Sequence, residues 1–170
     1  VTPAVRQIGW FDIRLLGPDG RPAWRSPRRL LNAVTYQGLN KCQDVMFKGV
    51  TPITAWYLLP ISAASFTALS ANDTHASHAG WVEYTGYSGN RPAWVPGTAT
   101  NGVLAASTPS TLTFTASGSL KGLALASVNT NGSTSSGGTL WATAEAGLAV
   151  AVASGQTLEI FYTNAFTIGS

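Results

Sequence analysis

The sequence predicts an all-β fold: an antiparallel, jelly-roll-like β-sandwich with one inserted α-helix over about 35–48 and an N-terminal β-hairpin arm. Three observations carry this. Only 10% of the 170 residues are charged, against a usual level of about 25%; Gly, Ala, Ser and Thr take up the difference, which suits short strands joined by small-residue turns. Short runs of apolar and β-branched residues recur at regular intervals, each bounded by a turn signal. A single stretch has the three-and-four spacing of an amphipathic helix. Roughly eight to ten short strands around one early helix describe two packed sheets, for which a jelly roll is the commonest arrangement. With neither linker nor repeat, the chain reads as one domain, 1–170, with 1–29 as a basic arm.

Taken in order, Ile8–Leu16 reads as a strand, Gly17-Pro18-Asp19-Gly20 as a turn and Arg21–Arg25 as a short returning edge strand. The helix rests on Leu31, Val34, Gly38, Leu39, Cys42, Val45 and Met46, which form one apolar stripe. Thr35 is its N-cap, Gly49 its stop and Lys48 lies in its last turn. Cys42 falls on the stripe, which predicts a buried structural thiol. Pro52–Pro60 is apolar at nearly every position, as in a strand buried on both faces in the middle of the core. Ser62–Gly80 is a long polar loop. Trp81–Thr85 alternates as a strand, Ser88-Gly89-Asn90 turns, and Arg91–Pro96 resumes as an edge blunted by two prolines, so that the three form a hairpin. Further strands are predicted at Gly102–Ala106, Thr111–Ser117, Leu120–Val128, Thr139–Ala144, Leu148–Ala153 and Thr157–Thr163, with Asn129–Gly138 a low-complexity loop and Gly147 a turn.

The net charge of +3 is unevenly spread. Up to Arg29 six arginines face Asp12 and Asp19, a local charge of +4, whereas the remainder carries −1. Arg6, Arg14, Arg21, Arg25, Arg28 and Arg29, with Trp10 and Trp24, are therefore the expected partner interface. Two readings stand. The hairpin packs on its own domain with solvated arginines, or it lies on an acidic neighbour through bidentate guanidinium–carboxylate bonds. No recognised nucleic-acid motif accompanies the arginines, which argues against nucleic acid.

Cys42 is the only cysteine, which excludes an intrachain disulfide and predicts synthesis in a reducing compartment. Val1–Arg6 lacks the basic-then-apolar pattern of a signal peptide. The longest weakly polar run, Leu140–Ser154, is too short and too lightly apolar to span a bilayer, so no membrane association is expected. His75 and His78 beside Asp73 invite a metal site, yet they supply too few ligands, and Cys42 lies in a separate element. A Ser/His/Asp triad lacks a Gly-x-Ser-x-Gly elbow. Neither a metal nor another cofactor is expected, nor catalysis. Asp73 and the histidines are expected to tie their loop down by hydrogen bonds to its backbone. His78, Trp81, Tyr84, Tyr87, Arg91 and Trp94 form the densest aromatic stretch, expected to be a structural cluster.

Four segments then carry a resemblance: Asn32-Ala33-Val34-Thr35 with Gly38-Leu39-Asn40; Ile53–Tyr57; Ser77–Glu83; and Tyr87–Trp94. Together with Gly122–Ser127, Gly138–Ala144 and Ser154–Leu158 they resemble a family of tailed-bacteriophage virion proteins, similar to the jelly-roll cement (decoration) proteins of short-tailed Bordetella-type phages. The likeness runs from about Asn32 to Tyr162, leaving out the basic segment. It implies a non-enzymatic homodimer, made in the bacterial host cytoplasm, that binds the major capsid protein on the virion exterior and bridges neighbouring capsomers. The alternative is a tail or fibre component that binds a receptor or glycan, with Trp81, Trp94 or Tyr87 stacking on sugar rings. A metal-dependent, cupin-like enzyme is a third class, short of the ligands it needs.

Overall fold

Alternation along the two ends of the chain builds the centre of the first sheet. The computed structural model describes residues 5–168; the expected domain 1–170 and segment 1–29 extend into residues 1–4 and 169–170, which lie outside the described residues. Strand β1 (Val5–Leu16) pairs antiparallel with β10 (Thr157–Ile168) along its whole length, from Val5 opposite Ile168 to Leu16 opposite Thr157. Phe11, Ile13 and Leu15 point inward with Leu158, Ile160 and Tyr162, while Trp10, Asp12 and Arg14 point outward, the two-residue period of a half-buried strand. β2 (Pro22–Arg25) and β3 (Leu30–Leu31) pair with β1, and β6 (Val103–Ala105) and β7 (Ser110–Thr113) pair with β10, giving six strands. The expected hairpin is thus present, but its first strand is an inner strand of a sheet. The basic segment belongs to the body of the domain.

The second sheet has the order β4 (Ala33–Val34), β9 (Leu140–Val152), β8 (Gly118–Ala126), β5 (Tyr57–Ser62). All the pairings are antiparallel, and three of them nest: β1 with β10, β4 with β9, β5 with β8. This nesting makes the sandwich jelly-roll-like. Between the sheets lies the main core, with Phe11, Leu58, Phe114, Leu123, Leu125 and Tyr162 fully buried. A second, smaller core lies on the far side of the four-stranded sheet, where Leu59, Ile61, Ala124, Ala126 and Leu140 meet Trp81, Phe66 and Leu69 of the long loop after β5. That loop is packed, as one of its length must be inside a domain.

Helix α1 (Tyr36–Lys48) starts and stops where its caps dictate. Thr35 Oγ1 accepts the Gly38 N–H at 3.1 Å, and Gly49 takes the left-handed conformation, its N–H donating to the Asp44 carbonyl. At Gly38 the helix meets β9 so closely that a Cβ there would sit 2.7 Å from the Trp141 carbonyl oxygen. Beyond this contact the helix is poorly covered. Gly38 is its one buried residue, Cys42 is half-buried rather than buried, and Met46 lies 68% exposed on what should have been the core stripe. The periodicity marks an apolar face correctly but does not say what covers it.

Three further expectations are corrected. The Pro52–Pro60 run becomes a strand only from Tyr57, and β5 ends the strand order of its sheet instead of lying mid-core. Both its faces are nonetheless buried. Trp81–Thr85 and Arg91–Pro96 do not pair with each other as a hairpin. Each bridges to β5, Glu83 opposite Ile61 and Ala93 opposite Tyr57, so the segment covers the free edge of β5 with few ladder bonds. Pro92 and Pro96 lack the N–H groups a regular strand would use. The strands predicted on either side of Gly147 are one strand, β9, whose excess residues bulge between the pairs Leu120–Val150 and Gly122–Glu145.

Candidate functional site

The stretch richest in aromatic and titratable side chains splits between two places. Trp94 sits between the sheets, its indole N–H donating to the Tyr162 carbonyl at 3.1 Å and its ring edge-on to the Tyr162 ring. Tyr84 packs edge-on against Phe114 and donates to the Ala116 carbonyl; burial raises its pKa above the ordinary phenol value. Trp81 instead faces the outer core, its indole N–H on Asp73 Oδ2 at 2.9 Å and its ring stacked on His78. His78 Nδ1 lies 2.9 Å from the Trp81 carbonyl, so that nitrogen carries the hydrogen. Asp73 also accepts the Ser70 N–H. These bonds fasten the loop to itself, the role expected of Asp73 and His78.

Tyr87 and Arg91 meet in a buried polar network whose centre, Glu83, the sequence did not single out. Arg91, 4% exposed, binds Glu83 in a fork, with Nη2 to Oε2 at 2.7 Å and Nε to Oε1 at 3.1 Å. Tyr87 donates to Glu83 Oε1 at 2.6 Å, and the Gly132 N–H donates to Oε2 at 2.8 Å. The remaining guanidinium hydrogens reach the carbonyls of Val128 and Ser133 and the Nε2 of His75. Burial, then Glu83, pushes the Tyr87 hydroxyl far above the usual phenol range. Each charged group is matched within the chain, so the network joins the 73–91 segment to the Asn129–Gly138 loop. A cavity of about 190 Å³ lies beside it, floored by Leu59, Trp81 and Leu140. Among the described residues no three His, Cys, Asp or Glu side chains gather as metal ligands would.

The expected partner residues divide by strand register. Trp10 and Arg14 project from the outer face of the six-stranded sheet, where Arg25 lies opposite Arg14 and Leu31 opposite Trp10. The Arg29 guanidinium stacks 4.6 Å from the Trp10 ring centroid and lies 3.6 Å from Asp12. Arg14 pairs with Glu159 and covers Phe161. Arg6 is exposed, opposite Thr167. Trp24 is the exception. Opposite Leu15, it faces inward and packs against the main core, because the hairpin register puts it on the buried side. Arg21 lies beside the turn with Asp19, and Arg28 is in the exposed loop before β3. Leu31 and Phe161 belong to the outer face and were missed. Phe161 was signalled by the alternation of Leu158–Tyr162 and Leu31 by its place opposite Trp10, both legible only with the register in hand.

No protein-family model matches the sequence, and no curated protein matches it either. The one helix among the described residues is not long and apolar enough to cross a membrane.

Proposed function

We propose that this chain is a non-enzymatic structural protein of a tailed-bacteriophage virion, a cement protein that binds the outside of the capsid and bridges neighbouring capsomers. The observation that carries the reading is the outer face of the six-stranded sheet. It presents Trp10, Leu31 and Phe161 among Arg6, Arg14, Arg25 and Arg29, against only Asp12 and Glu159. Four arginines facing two acids favour an acidic protein surface, here the major capsid protein, and disfavour a second copy of the same face. The guanidinium groups of Arg29 and Arg14 lie over the Trp10 and Phe161 rings, so charge and aromatic surface are presented together. The buried network around Arg91 supports a structural role, since its charged groups are engaged with one another.

The tail or fibre alternative rests on Trp81, Trp94 and Tyr87 stacking on a ligand, but all three are buried, Trp81 with 2% of its surface exposed. Self-association uses a different surface in this proposal. Met46, 68% exposed, borders an apolar groove beside α1 lined by Cys42, Val45, Ile53 and Trp56. The homodimer is assigned to that face, and sedimentation equilibrium tests it.

Cementing works by mass action: a protein that binds only the assembled shell adds its binding free energy to that state. Shells carrying the protein should therefore retain their DNA at higher temperature, or under greater osmotic shock, than shells lacking it. Equal release from both would refute the proposal.

A further inference from the structure

His75 is buried at the end of the Arg91–Glu83 pair, and both its ring nitrogens are committed. Nδ1 lies 2.8 Å from the Ser135 carbonyl, which can only accept, so Nδ1 carries a hydrogen. Nε2 lies 3.0 Å from Arg91 Nη1, which can only donate, so Nε2 offers its lone pair. The geometry therefore requires a neutral imidazole. A proton on Nε2 would point an N–H at the guanidinium N–H and set two cations in contact.

We propose that His75 makes this network an acid-sensitive latch: protonation of the imidazole frees the Asn129–Gly138 loop from the 73–91 segment and opens the cavity over Trp81. The loop depends on this corner. Arg91 holds the Ser133 carbonyl, Glu83 the Gly132 N–H and His75 the Ser135 carbonyl, while Gln37 of α1 donates to the Gly138 carbonyl. The charged and titratable groups around His75 are Arg91, Glu83, His78, Tyr87 and Asp73, all on its own segment. α1 supplies the neutral Gln37, and the 129–138 loop has no charged residue. Glu83 would attract an imidazolium, but its oxygens are already taken by Arg91, Tyr87 and Gly132.

The electrostatics agree in sign. Burial lowers the His75 pKa most; the Ser135 carbonyl opposes this, and Arg91 and His78 add to the lowering. The unfolded or opened chain therefore takes up a proton more readily than the closed one. The latch is fully held above the ordinary imidazole pKa of about 6.5 and is lost as pH falls from there through the lowered native value.

Amide hydrogen exchange, with each rate divided by its intrinsic value, tests this at about pH 7.5 and about pH 5. His75→Gln serves as control, since its amide oxygen can accept from Arg91 and cannot be protonated. In the wild type, protection of residues 129–138 should fall at the lower pH, by up to about thirtyfold, while amides of the β8–β9 ladder keep theirs. In His75→Gln it should be the same at both. Unchanged protection in the wild type, or the same loss in both proteins, overturns the latch. Should the variant fail to fold, an NMR titration of wild-type His75 decides: a value below about 6.5 supports the latch, and one at or above it overturns it.

Discussion

Arg91 and Glu83 form a buried ion pair, costly to break from one side. Two buried ions are tolerated because the fork and its surrounding donors and acceptors replace the lost water, and one ion left alone has no such compensation. Arg91→Met should destabilise the domain by about 3–5 kcal/mol in urea denaturation, because Glu83 stays buried without its partner. Adding Glu83→Gln should recover part of that loss, since the neutral amide keeps acceptor and donor groups without a charge to desolvate. A double variant no better than the single one would show that packing, not charge, sets the cost. This pair was legible in the sequence. Between Asp73 and Lys121 the only Asp, Glu, Lys or Arg residues are Glu83 and Arg91, an isolated acid and an isolated base in a long uncharged stretch. The surrounding aromatics mask the acid. His75 was harder to place, since its role depends on the distant carbonyl of Ser135.

At the scale of elements, local signals were read well where their causes are local. Thr35 and Gly49 bound α1 because capping is decided within a few residues, and Gly17–Gly20 turns β1 into β2 for the same reason. Elements whose form depends on a neighbour were misread. Trp81–Thr85 alternates like a strand, but its backbone partner is β5, and Arg91 is drawn toward the network. Which part of the α1 stripe is covered depends on where β9 passes, and β9 meets the helix at Gly38. The uncovered remainder bears the predicted self-association. Met46→Glu should leave the fold stable to within about 0.5 kcal/mol, as exposed substitutions usually do, and should shift sedimentation equilibrium to monomer. A variant as dimeric as the wild type, or a wild type that is monomeric throughout, would remove α1 from the interface.

For the whole molecule, the sandwich class follows from composition and turn spacing, whereas the nested order of its strands does not. Turn residues say where the chain reverses, and long-range pairing between chain ends leaves no local mark. The same limit separates the two tryptophans of the basic segment. Trp10 and Trp24 look equivalent in sequence, yet the β1–β2 register turns one outward under Arg29 and the other into the core. What emerges is one sheet face that gathers arginines and aromatics, and a network that locks the loops on the opposite side. A density map of the intact particle is the decisive measurement. Many copies should cover the outside of the shell, each with Trp10, Arg14 and Arg29 turned toward the capsid protein. Copies confined to a tail tip, or that face turned to solvent, would contradict the cement proposal.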